Sequence, residues 1–251
     1  MIQVADLHKV YRQTAAVTGL SFELAAGSVL ALLGPNGAGK TTTLRAIAGI
    51  IPPTQGRLVV AGHDVLADPV AAKSQMACVP DDPKLFETLT VWEHLEFIAA
   101  AYRVADYRPK AESLLAQFEL LEKRDVLAQE LSRGMRQKVA IACAYLHDPQ
   151  AILLDEPITG LDPQGIRIMK NSVIERARAG AAVIVSSHLL SLVEDICSHV
   201  LILDHGKSLF FGTMEQARAT FAAAGVSTTL EDVFFQATQP PHAADERPAR
   251  G

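Results

Sequence analysis

The chain carries its apolar residues in short uninterrupted runs that alternate with polar or turn-rich stretches. Four of these runs cover residues 29–33, 151–154, 181–185 and 200–203. Continuous apolar runs of this length are typical of strands that are buried on both faces of a parallel sheet. Residues 2–10 and 20–25 are expected to form two more strands joined by a turn at Gly19, and a further strand is expected at 57–61.

From about residue 90 to 148 the apolar residues recur at intervals of three and four, which is the helical period. The two clearest series are Val91, Leu95, Ile98 and Tyr102, and Leu114, Leu115, Phe118 and Leu121. This segment is therefore predicted to be an inserted helical subdomain. Because strands and helices alternate elsewhere, we expect an α/β fold with a parallel-sheet core and a small N-terminal antiparallel β part.

One predicted strand-to-helix loop carries a phosphate-binding motif. Gly34 to Thr41 match G-x-x-x-x-G-K-S/T and precede a helix expected at 41–49, so a P-loop NTPase fold is predicted. The glycines let backbone N–H groups curl around phosphate oxygens, and the helix N-terminus adds positive potential. Lys40 is expected to reach the β- and γ-phosphates, and Thr41 to ligate Mg²⁺. The residues expected to bind nucleotide here are Gly34, Pro35, Asn36, Gly37, Ala38, Gly39, Lys40, Thr41 and Thr42.

An acidic pair follows the strand predicted at 151–154. Asp155 would stand at the carboxyl end of that strand, where open α/β sheets bind ligands, and is expected to bind Mg²⁺. Glu156 is next in the chain and can polarise an attacking water. Alone, the pair would be an ordinary acidic turn after a strand. Together with the phosphate loop it predicts hydrolysis of ATP with Mg²⁺.

Three more segments extend this pattern to one family. The segment 131–138 contains LSRGM and resembles the LSGGQ signature of ATP-binding-cassette proteins, while 160–163 resembles their D-loop. Ser186-Ser187-His188 resembles the segment that carries their switch histidine. The order and spacing agree over about residues 1–235, so the chain is identified by resemblance as an ATP-binding-cassette ATPase subunit. Residues 236–251 are rich in Pro, Ala and charge, and are expected to be disordered.

The resemblance implies roles at the matching positions. In the family, two cassettes enclose two ATP molecules head to tail, so Ser132 and Gly134 would contact the γ-phosphate of ATP on the partner subunit. His188 would contact the γ-phosphate in its own subunit, and Lys40, Glu156 and His188 would form the catalytic group. Tyr11 stands where the family places an aromatic ring on adenine. The implied partners are a second cassette, identical or different, and an integral membrane permease.

The chain departs from the family at two places. Asp81 occupies the position of the Q-loop glutamine, where a carboxylate can still face Mg²⁺ but adds a negative charge beside Glu156. Arg133 and Met135 replace signature residues. This variant, together with the ending at 230–234, resembles cassettes that serve exporter-type permeases more than importer cassettes. The large apolar residues between Asp81 and His94 are expected partly to pack the core and partly to dock the permease; they are Leu85, Phe86, Leu89 and Trp92.

Composition narrows the alternatives. The net charge of −5 and the lack of a basic cluster argue against a nucleic-acid partner. The three cysteines lack metal-ligand spacing, and neither a signal peptide nor an 18-residue apolar run is present. A cytoplasmic protein, held at the inner face of the membrane by its permease, is therefore expected. Two alternatives remain: a soluble non-transport cassette protein, and a regulatory cassette with little turnover.

Overall fold

Two β-sheets with helices packed on them make up the part of the chain that the computed structural model describes, residues 1–187 and 194–222. The strands are β1 (Ile2–Tyr11), β2 (Thr14–Leu24), β3 (Val29–Leu33), β4 (Gln55–Val60), β5 (His63–Asp64), β6 (Met76–Val79), β7 (Ala151–Asp155), β8 (Ala182–Ser186), β9 (His199–Asp204) and β10 (Lys207–Thr213). The helices are α1 (Lys40–Ile47), α2 (Pro69–Ser74), α3 (Val91–Tyr102), α4 (Tyr107–Gln117), α5 (Arg133–Tyr145), α6 (Pro163–Arg178) and α7 (Met214–Ala222). None of these helices has the length and apolarity that crossing a bilayer requires.

The larger sheet has six strands in the order β10-β9-β3-β8-β7-β6. All neighbouring pairs are parallel except β9 and β10, which form an antiparallel edge. The side chains of β3 alternate between two cores: Leu30 and Leu32 face one, while Ala31 and Leu33 face the other. Because β3 is buried on both faces, its apolar run is continuous. The prediction of an α/β fold with a parallel-sheet core is confirmed.

The smaller sheet is antiparallel, with the order β2-β1-β4-β5, and it confirms the predicted N-terminal β part. The expected turn at Gly19 is wrong. The chain turns at Arg12 and Gln13, and Gly19 lies inside β2 with φ of 64°. The pairing of β1 with β2 shifts register between Leu7 and Lys9, opposite Gly19. A glycine within a strand often marks such an irregularity, so this residue bends the strand without ending it.

Three helices, α3 to α5, lie between β6 and β7 in the chain. Helix α3 begins with a capping box, in which Thr90 and Glu93 each accept a hydrogen bond from the other's backbone N–H. Helix α5 contacts both α3 and α4 and also packs on β6, so it ties the helical segment to the edge of the six-stranded sheet. The proposed boundaries at 90–148 and 235 stay predictions, and residues 236–251 lie outside the described part.

Candidate active site

The predicted phosphate loop connects the central strand β3 to helix α1, which begins at Lys40. Gly39 caps this helix with φ of 104°, and a Cβ atom there would lie 2.6 Å from the Ala16 carbonyl oxygen. At Gly34 a Cβ atom would lie 2.4 Å from the Leu203 carbonyl oxygen. Since backbone oxygens cannot move aside cheaply, both positions require glycine. Strands β2 and β9 therefore press on the loop and hold its shape.

The Lys40 side chain lies folded over the loop. Its Nζ atom donates hydrogen bonds to the carbonyl oxygens of Gly34 at 2.7 Å and Pro35 at 3.3 Å. The same atom lies 4.0 Å from Glu156 Oε1, and only 7% of the lysine is exposed. Burial lowers the pKa of the Lys40 ammonium, and the carboxylates of Glu156 and Asp155 act in the opposite direction. The loop thus keeps a partly desolvated cation close to the predicted water-activating carboxylate.

Ser186 at the end of β8 holds both members of the acidic pair. Its hydroxyl donates to Asp155 Oδ1 at 2.6 Å and accepts from the Glu156 backbone N–H at 2.9 Å. The register of the sheet explains this contact, because Asp155 is paired with Ser186. Glu156 has φ of 48°, in the left-handed region that a non-glycine residue adopts at a cost. Asp155, one residue earlier in the chain, is only 5% exposed.

A cleft of about 260 Å³ lies over the phosphate loop. Its lining residues are Ala16, Pro35, Asn36, Gly37, Ala38, Gly39, Lys40, Thr41, Thr42, Asp81 and Glu156. Nearly all the predicted loop residues, together with Asp81 and Glu156, therefore meet at one place. Asp155 lies buried behind Glu156, joined to it through Ser186.

Three predicted positions lie apart from this cleft. Tyr11 is 45% exposed at the end of β1, where the Lys9 ammonium lies 5.0 Å from its ring centroid. Ser132 and Gly134 also do not line the cleft. Ser132 caps α5 and accepts a hydrogen bond from the Met135 N–H at 3.2 Å, as expected for an N-cap. His188 lies outside the described residues.

Two residues of this site, Ala16 and Ser186, are not predicted from the sequence. Ala16 lines the cleft although it belongs to the antiparallel sheet, and no local signal marks it. Ser186 stood in the switch segment, but only His188 of that segment received a role. Its position at the carboxyl end of a buried strand, beside the strand that ends in Asp155, is the signal that could have found it.

The oxygen donors near the loop fit Mg²⁺. Thr41 and Asp81 line the cleft, and the buried Asp155 precedes Glu156 of its lining, so one hydroxyl and two carboxylates are candidate ligands. Within residues 1–187 and 194–222, no cluster of three or more His, Cys, Asp or Glu side chains could hold a metal ion alone. Mg²⁺ at phosphate sites takes few protein ligands besides the phosphates and water, so this sparse donor set suits it.

A second, more apolar groove of about 410 Å³ lies between β6, α3 and α5. Its lining includes Pro83, Leu85, Ile98, Tyr102 and Cys143. These residues come from the segment after β6 and from two helices. The groove therefore opens beside the segment that carries Asp81.

Phe86 belongs to the same segment and is 53% exposed. The buried His94 fixes it: Nδ1–H donates to the Thr90 carbonyl at 2.7 Å, and Nε2 accepts from the Phe86 backbone N–H at 3.0 Å. The Phe86 ring packs edge-on against Phe97, with 5.2 Å between centroids. Trp92 is 8% exposed and packs in the core. Of the apolar residues expected partly in the core and partly on the surface, Trp92 therefore lies in the core and Phe86 on the surface.

Fold and cleft together define the chain as a P-loop ATPase. The model of the ABC transporter family matches residues 17–159, and the chain belongs to this family. It is 33% identical over 241 residues to the ABC-type transporter ATP-binding protein EcsA of Bacillus subtilis, covering 95% of this chain and 97% of that one. It is 35% identical to the SkfA peptide export ATP-binding protein SkfE of the same organism, covering 82% and 87%. A solved ATP-binding subunit of an ABC transporter superposes with a TM-score of 0.90 at 32% identity, covering 95% and 100%.

Proposed function

We propose that this ATPase drives a separate membrane permease by closing head to tail with a second cassette around two ATP molecules. One observation supports this arrangement most directly: Ser132 and Gly134 do not line the cleft that contains Lys40 and Glu156. A second subunit can bring its own signature residues to that cleft. The N-terminus of α5 carries positive potential and, apart from the Met135 N–H that Ser132 caps, offers the backbone N–H groups of its first turn to a phosphate there.

Each residue of the cleft then has a defined task. Lys40 exchanges its contacts with the loop carbonyls for the β- and γ-phosphates, which replaces weak neutral acceptors with charged ones. Glu156 orients water and accepts its proton, while Thr41 and Asp155 hold Mg²⁺. When bound, Mg²⁺ would supply charge neutralisation at the phosphate oxygens. Asp81 would face the same cation. By resemblance to the family, Tyr11, outside the cleft, would support the adenine, and His188 would contact the γ-phosphate.

Two observations favour export as the direction of transport. The LSRGM signature resembles that of cassettes paired with exporter-type permeases. SkfE, which is similar over most of this chain, is named as a peptide export protein. The cassette would then lie on the cytoplasmic face of the membrane through its permease. Import remains the alternative that a transport measurement must test.

The apolar groove beside the Asp81 segment is the proposed docking place for the permease. Phe86 follows Leu85 of the groove lining, offers a large exposed ring, and is held in place through its backbone N–H by His94. An exposed apolar surface with a fixed backbone is typical of a partner site. Because Asp81 belongs to the same segment and lines the cleft, a permease seated here can respond to the nucleotide.

The test compares Phe86→Asp with Leu209→Asp, each co-expressed with the membrane permease that co-purifies with the wild-type chain. Leu209 is 44% exposed on β10, at the opposite edge of the six-stranded sheet, so it is a matched control. Phe86→Asp should retain ATP binding but lose co-purification and permease-dependent stimulation of ATP hydrolysis. Leu209→Asp should retain both. A folded Phe86→Asp protein that couples fully to the permease would contradict the docking surface.

In proteoliposomes with the cassettes outside, export should appear as ATP-dependent accumulation of substrate in the lumen. Peptides are the first class to test, since the name of SkfE refers to peptide export. ATP-dependent loss of a preloaded substrate would instead identify an importer.

A further inference from the structure

The two family positions at which this chain carries unusual charges lie in contact. Arg133 Nη2 donates a hydrogen bond to Asp81 Oδ1 at 3.1 Å, although the residues are 52 positions apart. Asp81 lines the nucleotide cleft, and Arg133 is the first residue of α5, between Ser132 and Gly134. The ion pair therefore joins the cleft to the signature segment within one subunit.

The backbone on the Arg133 side of this contact is fixed. Ser132 caps α5, and Gly134 packs so closely on Gly160 that a Cβ atom would lie 2.6 Å from the Gly160 carbonyl oxygen. The Arg133 side chain passes over Gly160 as well, since a Cβ atom there would lie 3.2 Å from Arg133 Cδ. The guanidinium can consequently change partner by side-chain rotation, while the helix stays in place.

The pair is weak enough to exchange. About half of each side chain is exposed, 55% for Arg133 and 49% for Asp81. Ion pairs with this exposure contribute little because water screens them. A divalent cation beside the phosphates is a stronger partner for a carboxylate than one half-exposed guanidinium.

The neighbouring charges already have other partners. Lys84 forms an ion pair with Asp82, and Arg136 donates to the carbonyl oxygens of Leu131 and Gln129. The hydrogen bond and the charge of Lys84 lower the pKa of the Asp82 carboxyl, burial opposes them, and Arg133 and Arg136 add a smaller lowering. Among these cations, Arg133 alone hydrogen-bonds to Asp81 in the described part of the chain.

We propose that Asp81 and Arg133 form a latch: Arg133 holds the Asp81 carboxylate, and Asp81 exchanges Arg133 for Mg²⁺ when Mg²⁺–ATP binds. Arg133 is thus a positioning residue that acts through Asp81. Its release also frees a guanidinium next to Ser132 and Gly134, on the surface that would face the partner's phosphate. This inference rests on the proposed ATP site and goes beyond it.

The latch predicts a specific linkage between Mg²⁺ and nucleotide. Because the Asp81–Arg133 ion pair must break when the Mg²⁺ complex binds, the pair lowers the affinity for Mg²⁺–nucleotide. It leaves the affinity for metal-free nucleotide unaffected. The measured quantity is the ratio of the Kd of a non-hydrolysable ATP analogue in EDTA to its Kd in saturating Mg²⁺. Arg133→Gln should raise this ratio about two- to fivefold, the range expected for a half-exposed ion pair. Any general change in phosphate affinity cancels in the ratio.

Two controls isolate the pair. Lys84→Gln removes a cation from the same segment but pairs with Asp82, so its ratio should equal that of the wild type. In an Asp81→Asn background, Arg133→Gln should have no further effect, since the carboxylate that it restrains is gone. The latch would be contradicted if the ratio rose equally in the Lys84→Gln protein. It would also be contradicted if Arg133→Gln kept its full effect in the Asp81→Asn protein, since both results indicate a general charge effect.

A direct readout completes the test. The side-chain N–H signals of Arg133 in ¹⁵N-labelled protein should shift when Mg²⁺ is added with the analogue, and stay unchanged with the analogue in EDTA. An unchanged ratio together with unshifted signals would overturn the latch while ATP binding stands. Failure of the wild-type protein to bind the analogue, or binding that Lys40→Ala leaves unaltered, would instead overturn the proposed ATP site.

Discussion

Ser186 shows how much of the site depends on a single hydroxyl. It is fully buried and satisfies two groups of different chemistry, the Asp155 carboxylate and the Glu156 backbone N–H. A buried carboxylate oxygen that loses its donor bears the cost of desolvation without compensation. The side chain is therefore as important for placing the acidic pair as the strand that carries it.

Ser186→Ala should lower the free energy of unfolding by about 1–3 kcal/mol, the usual cost of an unsatisfied buried group. It should also slow ATP hydrolysis more than it weakens ATP binding, because Glu156 loses one of its backbone anchors. Urea unfolding and steady-state ATPase assays measure the two effects. Ser208→Ala, at an exposed position of β10 in the same sheet, is the matched control and should change neither. Equal stability of the two variants would show that the hydroxyl is dispensable.

His147 is the residue from which we expect an acid-sensitive contribution to stability. Its Nε2 atom contacts the Met76 carbonyl oxygen at 3.2 Å, and its ring stacks on Tyr102 with 3.8 Å between centroids. Nδ1 is buried without a hydrogen-bond partner among the described residues, so a proton there would have no acceptor. Burial, aided by Lys110, accordingly lowers the pKa of His147, while Met76 and Asp148 oppose the shift.

The sign follows from proton linkage. Below about pH 6.5 the unfolded state binds a proton at this position before the folded state does, so stability is lost as the pH falls. His147→Gln retains a donor for Met76 and removes the titration. The difference in unfolding free energy between pH 7.5 and pH 5.5 should thus be smaller in the variant. Burial also lowers the pKa of His199, so the variant should retain part of the pH dependence of stability. An unchanged difference would exclude His147 as a source.

At the scale of elements, the contact between α5 and the 158–161 segment determines what position 134 can hold. Helix propensity alone favours Gly134→Ala by about 1 kcal/mol. The close approach to the Gly160 carbonyl opposes this gain, since overpacking usually costs about 1–3 kcal/mol. We expect a net loss of stability in urea unfolding, with weaker ATP-driven dimerisation. A stabilised Gly134→Ala protein would mean that the helix can shift away from Gly160.

The sequence allowed the site to be predicted wherever one local segment carries the chemistry. The phosphate loop and the Asp155–Glu156 pair each follow a continuous apolar run, so strand and motif reinforce each other. Strands β6 and β10 and helix α2 were not predicted, because they are short or lack clear periodicity. Gly19 was misread since a glycine in a bulged strand and one in a turn look alike. Contacts such as Arg133 with Asp81 depend on register across the fold, which no local pattern contains.

At the scale of the whole molecule, the proposed head-to-tail dimer predicts that mutant subunits complement each other. Mixing Lys40→Ala with Ser132→Arg subunits leaves one composite site intact and the other doubly broken. The mixture should hydrolyse ATP faster than either variant alone. Lys40→Ala mixed with Glu156→Gln is the matched control, because both changes fall in the same half of the site and no intact site results. Rescue in the control, or its absence in the first mixture, would contradict the head-to-tail arrangement.

The position of β3 has a consequence for protein synthesis. Its hydrogen-bonding neighbours are β8, which begins at Ala182, and β9, which begins at His199. The phosphate loop also packs against the Leu203 carbonyl at Gly34. The loop at 34–41 can therefore reach its final packing only after residue 203 has been synthesised. On the ribosome, the early apolar run of β3 must remain unpaired while most of the polypeptide is made. A nascent chain should hold ATP only after β9 has left the exit tunnel.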